Sequence, residues 1–267
     1  LSDAKVSVAS GALGFYTAGK SYVDLYGGIV DGGGNSGRLV AVDGASTYIR
    51  IEKMRLQNGG QDALLVNATG AMSYITIADN EILNPKGPGI LLDGGTASTT
   101  LRLFRNTVEG MHDTVNAFGI WLAGSGWDDA YKWIVDNHVL ANGTGVTGGD
   151  HFGLRGNGGV LRGNVAISAY ADGYAFGDVG LSLTGWVVEG NQAISSSAQG
   201  FMVYRVTLST FNGNLASGSG QAGFYFQGVT HNVGAGNQSR NNTGKGFQLA
   251  NDAEGTPAGC SNNAFTG

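Results

Sequence analysis

Residues 191–203 read NQAISSSAQGFMV, residues 214–226 read NLASGSGQAGFYF and residues 237–249 read NQSRNNTGKGFQL. In each, an Asn is followed nine residues later by a Gly, and the Gly opens an apolar triplet that begins with Phe. The same device runs back through the chain. Asn80, Asn106, Asn137, Asn164, Asn191, Asn214 and Asn237, with Asn263 read as an eighth, are separated by 26, 31, 27, 27, 23, 23 and 26 residues. Their paired glycines are Gly89, Gly119, Gly153, Gly173, Gly200, Gly223 and Gly246, and five of these seven pairs keep the nine-residue interval. The triplets after the glycines alternate as a strand does, so their first and third residues point inward and the middle one outward. Only Leu154-Arg155-Gly156 breaks the apolar inward columns. A second short strand precedes each Asn, and no segment sustains helical periodicity. A unit of 23 to 31 residues cannot bury its own apolar side, so its copies must stack into one continuous core. The fold predicted is all-β, a parallel β-solenoid of about nine to ten rungs. The Asn has a physical task at each corner, where its amide tolerates left-handed backbone and can bond the Asn of the next rung.

Composition agrees with this reading. Of 267 residues 48 are Gly and only 3 Pro, 13% are charged and 42% hydrophobic, which describes a folded chain with many tight turns. A net charge of −5 gives no basic surplus for a phosphate backbone, so nucleic acid is not the expected partner. No apolar run is long enough to span a membrane. The single Cys260 excludes a disulfide framework and a cysteine metal site. The chain opens at Leu1 without a signal-like segment, as a mature or trimmed form would, and its low charge and Gly/Asn/Ser/Thr content suit a secreted or cell-surface protein.

Residues 22–34, YVDLYGGIVDGGG, resemble the opening rung of pectate-lyase-like right-handed parallel β-helix proteins. The later Asn and Gly-aromatic rungs are similar to their repeats, including those of mannuronan epimerases. The resemblance covers roughly residues 20 to 267 and implies a right-handed β-helix. It implies no single chemistry, because lyases, hydrolases, epimerases, tailspikes and adhesins share that fold. The chain is read as one domain, 1–267, in which residues 1–20 could form an N-terminal cap. No C-terminal cap is evident, which leaves end-to-end self-association open.

Two consecutive rungs break the nine-residue interval, Asn106 to Gly119 and Asn137 to Gly153, and predict inserted loops at 111–118 and 142–152. Loops on a rigid scaffold are where sites usually form. These hold His112 beside Asp113 and Asp150 beside His151, with Trp121 and Arg155 just beyond. The expected catalytic set is His112, Asp113, Asp150, His151 and Arg155: histidines tuned by carboxylates for proton transfer, and an arginine as carboxylate clamp or base. Trp121, Trp127, Lys132, Tyr204 and Arg205 are expected to bind substrate, the tryptophans through sugar-ring faces and the cations through carboxylates. An acidic polysaccharide is the expected partner, and elimination or C5 epimerisation at a uronic acid the leading chemistry. A glycoside hydrolase using a pair such as Asp113 with Asp150, and a non-catalytic glycan-binding fibre, are the alternatives. The Asp-Pro-His motif of the resembling epimerases, the Gly-His-Gly of the hydrolases and the Arg-rich signature of pectate lyases are all missing. No cofactor is expected. Asp128 and Asp129 with Asp93 or Asp150 could hold Ca²⁺ through oxygen ligands, although no motif indicates it and a solvated turn explains them more simply.

Overall fold

A computed structural model describes residues 4–34, 37–94, 100–112, 117–124, 127, 131–141, 148–177, 182–251 and 260–266. Among the described residues, three walls of ten parallel strands each wind around one core. Sheet A runs from Lys5–Ser7 to Gln238–Arg240, sheet B from Phe15–Ala18 to Phe247–Ala250 and sheet C from Asp24–Tyr26 to Ala264–Thr266. The chain visits B, C and A in turn, and each strand pairs with its counterpart one rung on. This is the parallel solenoid that the repeat predicts, and the described residues contain no α-helix. The segment read as a cap supplies the first strands of sheets A and B.

Inward columns fill the interior. On sheet B, Phe152, Tyr174, Phe201, Phe224 and Phe247 stack ring on ring with centroids 4.6–4.7 Å apart. Offset stacking of this kind adds roughly 0.5–1.5 kcal/mol per pair beyond the area it buries.

The asparagine ladder stands at the corner from sheet C to sheet A. From Asn80 to Asn214, each Nδ2 donates to the next Asn Oδ1 at 2.9–3.0 Å, ending on Asn237. Each of these backbone N–H groups donates to the same oxygen. Left-handed backbone falls on the residue before the Asn and not on the Asn itself. That slot holds Asp79, Arg105 and Asp136, then Gly163, Gly190, Gly213 and Gly236, all with φ between 51° and 65°. Asn263 is not an eighth member. It accepts from Asn232 Nδ2 at 3.2 Å in a second column, Ser209–Asn232–Asn263, at the corner from sheet B to sheet C.

One rung is registered differently from the sequence reading. Phe152 pairs with Ile120 on one side and Tyr174 on the other. The triplet is therefore Phe152-Gly153-Leu154, and its inward residues are as apolar as the rest. The slot that Gly89, Gly119 and Gly173 occupy elsewhere is filled here by His151. Gly153 sits in the outward middle position, where it resembled the repeat glycine by composition alone.

Candidate functional site

Register on sheet B places the candidate residues in rows. The outward middle column runs Leu91, Trp121, Gly153, Ala175, Met202. Arg155, Gly177 and Tyr204 share a second outward column just beyond the strand triplets, and Phe118, Asp150, Asp172 and Gln199 share a third, two residues before the triplets. Gly153, Ala175 and Gly177 thus leave a low floor between taller neighbours. Over it lies a hollow of about 240 Å³, walled by Phe118, Trp121, Asp150 and Arg155.

Each wall is held by a definite contact. The Phe118 and Trp121 rings stack with centroids 4.3 Å apart. They lean across Gly153, where a Cβ would come within 2.8 Å of Trp121 Cδ1 and 3.1 Å of the Phe118 ring. Arg155 Nη1 donates to the Ala123 carbonyl at 2.8 Å, which pins the guanidinium beside the tryptophan. Asp150 Oδ1 accepts the Asp172 backbone N–H at 3.0 Å, and Asp172 Oδ1 accepts that of Gln199 at 2.7 Å. The two carboxyls therefore stack on neighbouring rungs. Burial raises the pKa of both, and the charge of Asp150 raises Asp172 further, so protons are held there well above the ordinary carboxylate range.

The described residues flanking the two long intervals share one corner, from sheet A to sheet B: Gly110 N–H bonds the Ala141 carbonyl and Gly119 N–H that of Asp150. The expected residues divide, however. His112 is exposed and lines a separate hollow of about 510 Å³ farther along the same edge, with Lys86 and the Arg38–Asp62 ion pair, whose nitrogen and oxygen are 2.9 Å apart. Asp113, Asp128 and Asp129 lie outside the described residues. Tyr204 is buried, with the Arg205 guanidinium 5.2 Å from its ring centroid.

Three expectations are corrected by burial. His151 has no exposed surface, because the glycine slot it fills faces the core. Its ring bonds the Val139 backbone, and burial pushes its pKa down to about 3, so it is a neutral core residue and not a proton carrier. Trp127 is likewise fully buried, with Nε1 donating to the Leu92 carbonyl at 3.1 Å, and offers no face to a sugar. Lys132 takes an inward position on sheet C, 1% exposed, where Nζ donates to the Asn157 carbonyl at 2.6 Å and lies over the Trp186 ring. Its charge is spent inside the wall. Asp172 and Phe118 were missed by sequence reading. The signal for them was present: Asp150 and Asp172 both stand two residues before an aromatic strand residue, Phe152 and Tyr174, which appears once the rungs are aligned on aromatics instead of glycines. Among the described residues no cluster of three His, Cys, Asp or Glu side chains is placed to hold a metal ion.

No protein-family model and no curated protein sequence matches the chain. Among solved structures it is similar to a mutant form of the periplasmic alginate epimerase AlgG, with 11% identity and a TM-score of 0.45 over 96% of this chain and 74% of that one.

Proposed function

We propose that the outer face of sheet B binds a uronic-acid-containing polysaccharide, and that the hollow over Gly153 carries elimination or C5 epimerisation at a uronate. The supporting observation is convergence: a guanidinium, an aromatic platform and the Asp150 carboxyl meet over one low floor, with the Asp172 carboxyl behind it on the next rung. Trp121, backed by Phe118, presents an apolar face to a pyranose ring. Arg155 neutralises the uronate carboxylate, which lowers the cost of charge developing on C5. Near neutral pH the Asp150–Asp172 pair holds one carboxylate and one carboxylic acid. The carboxylate takes the C5 proton, and the electron pair is delocalised into the clamped carboxylate. In elimination the pair then forms the C4–C5 double bond, and the acid protonates the departing C4 oxygen. In epimerisation a proton returns to C5 from the opposite face. His112 stands one hollow away along the same edge and serves a neighbouring sugar. The protein would work outside the cytoplasm, where such polymers are found.

Ultraviolet absorbance during incubation with alginate, pectate, glucuronan and glycosaminoglycans tests this reading, since elimination creates an unsaturated uronate. Absorbance should rise with at least one polymer, and Arg155→Ala and Asp172→Asn should each slow the rise by about 100-fold or more. For epimerisation, deuterium from solvent should enter C5 with the same dependence on these residues. If neither signal appears across the panel, the catalytic reading is wrong. A second reading then stands, a non-catalytic glycan-binding module, which is favoured by the way Asp150 and Asp172 each hold a backbone N–H of the next rung.

A further inference from the structure

Sheet C carries a second hollow at the height of the first, on the adjacent wall. It is shallow, about 500 Å³, and is lined by Tyr131, Trp133, Gly158, Gly159, Val160 and Val187 among others. The aromatic pair stands on one rung, with ring centroids 6.3 Å apart, and Tyr131 is 72% exposed. On the next rung Gly158 and Val160 occupy the corresponding positions, so the wall drops beside the rings. The glycine at 159 takes an inward position and is fixed from inside, because a Cβ there would lie 2.8 Å from the buried Trp186 ring. One rung back, Arg102 pairs in register with Trp133, its guanidinium 5.7 Å from that ring centroid. Other arginines on this wall are matched by carboxylates: Arg50 by Asp24, Arg105 by Asp79 and Arg162 by Glu189, at 2.7–2.8 Å. Among the described residues Arg102 makes no ion pair, and no carboxylate is among the residues lining this hollow. Exposed rings above a low floor, with a cation and no carboxylate among the described residues lining it, suit a sugar that carries a carboxylate.

The two hollows are joined by the chain itself. Arg155 lines the sheet B hollow and Asn157 the sheet C hollow. Two residues span at most about 7 Å. We propose that an acidic polysaccharide bound on sheet B continues round the corner at 155–158 onto sheet C, where Trp133, Tyr131 and Arg102 hold sugars remote from the reacting one. This rests on the reading of sheet B as the polysaccharide site and adds that recognition needs a polymer of several sugars.

Calorimetric titration with uronate trimers and octamers of the polymer selected above separates the two claims. The octamer should bind the wild type about tenfold more tightly than the trimer. In Trp133→Ala, and more weakly in Arg102→Ala, that advantage should fall to within about twofold, with circular dichroism confirming the fold. Arg155→Ala should weaken both ligands. If the octamer keeps its advantage in Trp133→Ala while Arg155→Ala weakens binding, the corner path is wrong and the sheet B site stands. If neither oligomer binds the wild type, both fall together.

Discussion

At the scale of single residues, the solenoid is fastened by amides that each satisfy several partners. Asn164 is an example. Its Oδ1 accepts from the backbone N–H and side chain of Asn137, and its Nδ2 donates to the Ile134 carbonyl and to Asn191, all within 3.0 Å and all buried. Removing it leaves several buried polar groups without partners, each costing about 1–3 kcal/mol. Asn164→Ala should therefore lose roughly 3 kcal/mol or more in urea denaturation, well beyond an ordinary surface substitution. A loss below about 1 kcal/mol would show that water replaces the amide at no cost. The ladder was legible in sequence because every rung needs the same amide at the same corner. The second column was not, because it mixes Ser209 with Asn232 and Asn263, and a serine in a chain of this composition carries no signal.

At the scale of the strand and its turn, the site depends on one rung that departs from its neighbours. With His151 in the inward slot, Gly153 moves to the outer face and makes room for the Phe118–Trp121 stack. Since Gly153 is not in left-handed backbone, a β-branched residue is allowed there on conformational grounds. Its Cβ would still meet the rings at 2.8–3.1 Å, so Gly153→Val should cost about 1–3 kcal/mol while displacing the rings and filling the hollow. Retention in a uronate-containing gel, read beside a melting curve, checks both halves. Unchanged retention would remove this hollow from the binding face. The same rung shows why the site was only half readable. Loop length pointed to this corner, but a glycine two positions from its expected place hid the register. Trp127 and Lys132 read as surface chemistry because residue type says nothing about which wall a swollen turn packs against.

Across the whole molecule, buried titratable groups set opposing pH responses. His151 binds its proton at about 3 when folded and near 6.5 when unfolded, so between these values the unfolded chain binds more protons. Its contribution is complete above 6.5 and is lost as pH falls toward 3. Asp150 and Asp172 behave oppositely. Their raised pKa values mean that the folded chain holds protons the unfolded chain releases near 4, so their contribution is lost as pH rises from there through the pair's own titration. Just above pH 4 the pair holds up to two protons that the unfolded chain has released, against the one that His151 lacks, so stability should peak near about pH 4 and fall from there. In denaturation midpoints measured from roughly pH 2.5 to pH 9, His151→Gln should flatten the rise below about pH 4 and steepen the fall above it, and Asp172→Asn should make that fall shallower. Limbs that keep their slopes in these variants would assign the pH response to other groups, such as Asp31, whose bonds to Asn58, Lys5, Gly33 and Gln57 hold it far below the carboxylate range.

The asparagine column also fixes the unit in which this chain can change length. Asn191 and Asn214 occupy equivalent places, 23 residues apart, and each presents the same oxygen to the turn before it and the same amide to the turn after. Cutting out residues 192–214 would join Asn191 to Leu215 with the polar column unbroken, and repeating them would insert a turn as smoothly. A cut through the strands that does not run from one ladder asparagine to another would leave a corner without its amide. The protein is in that sense graduated like a ruler, and insertions and deletions are tolerated in its walls only at the marks.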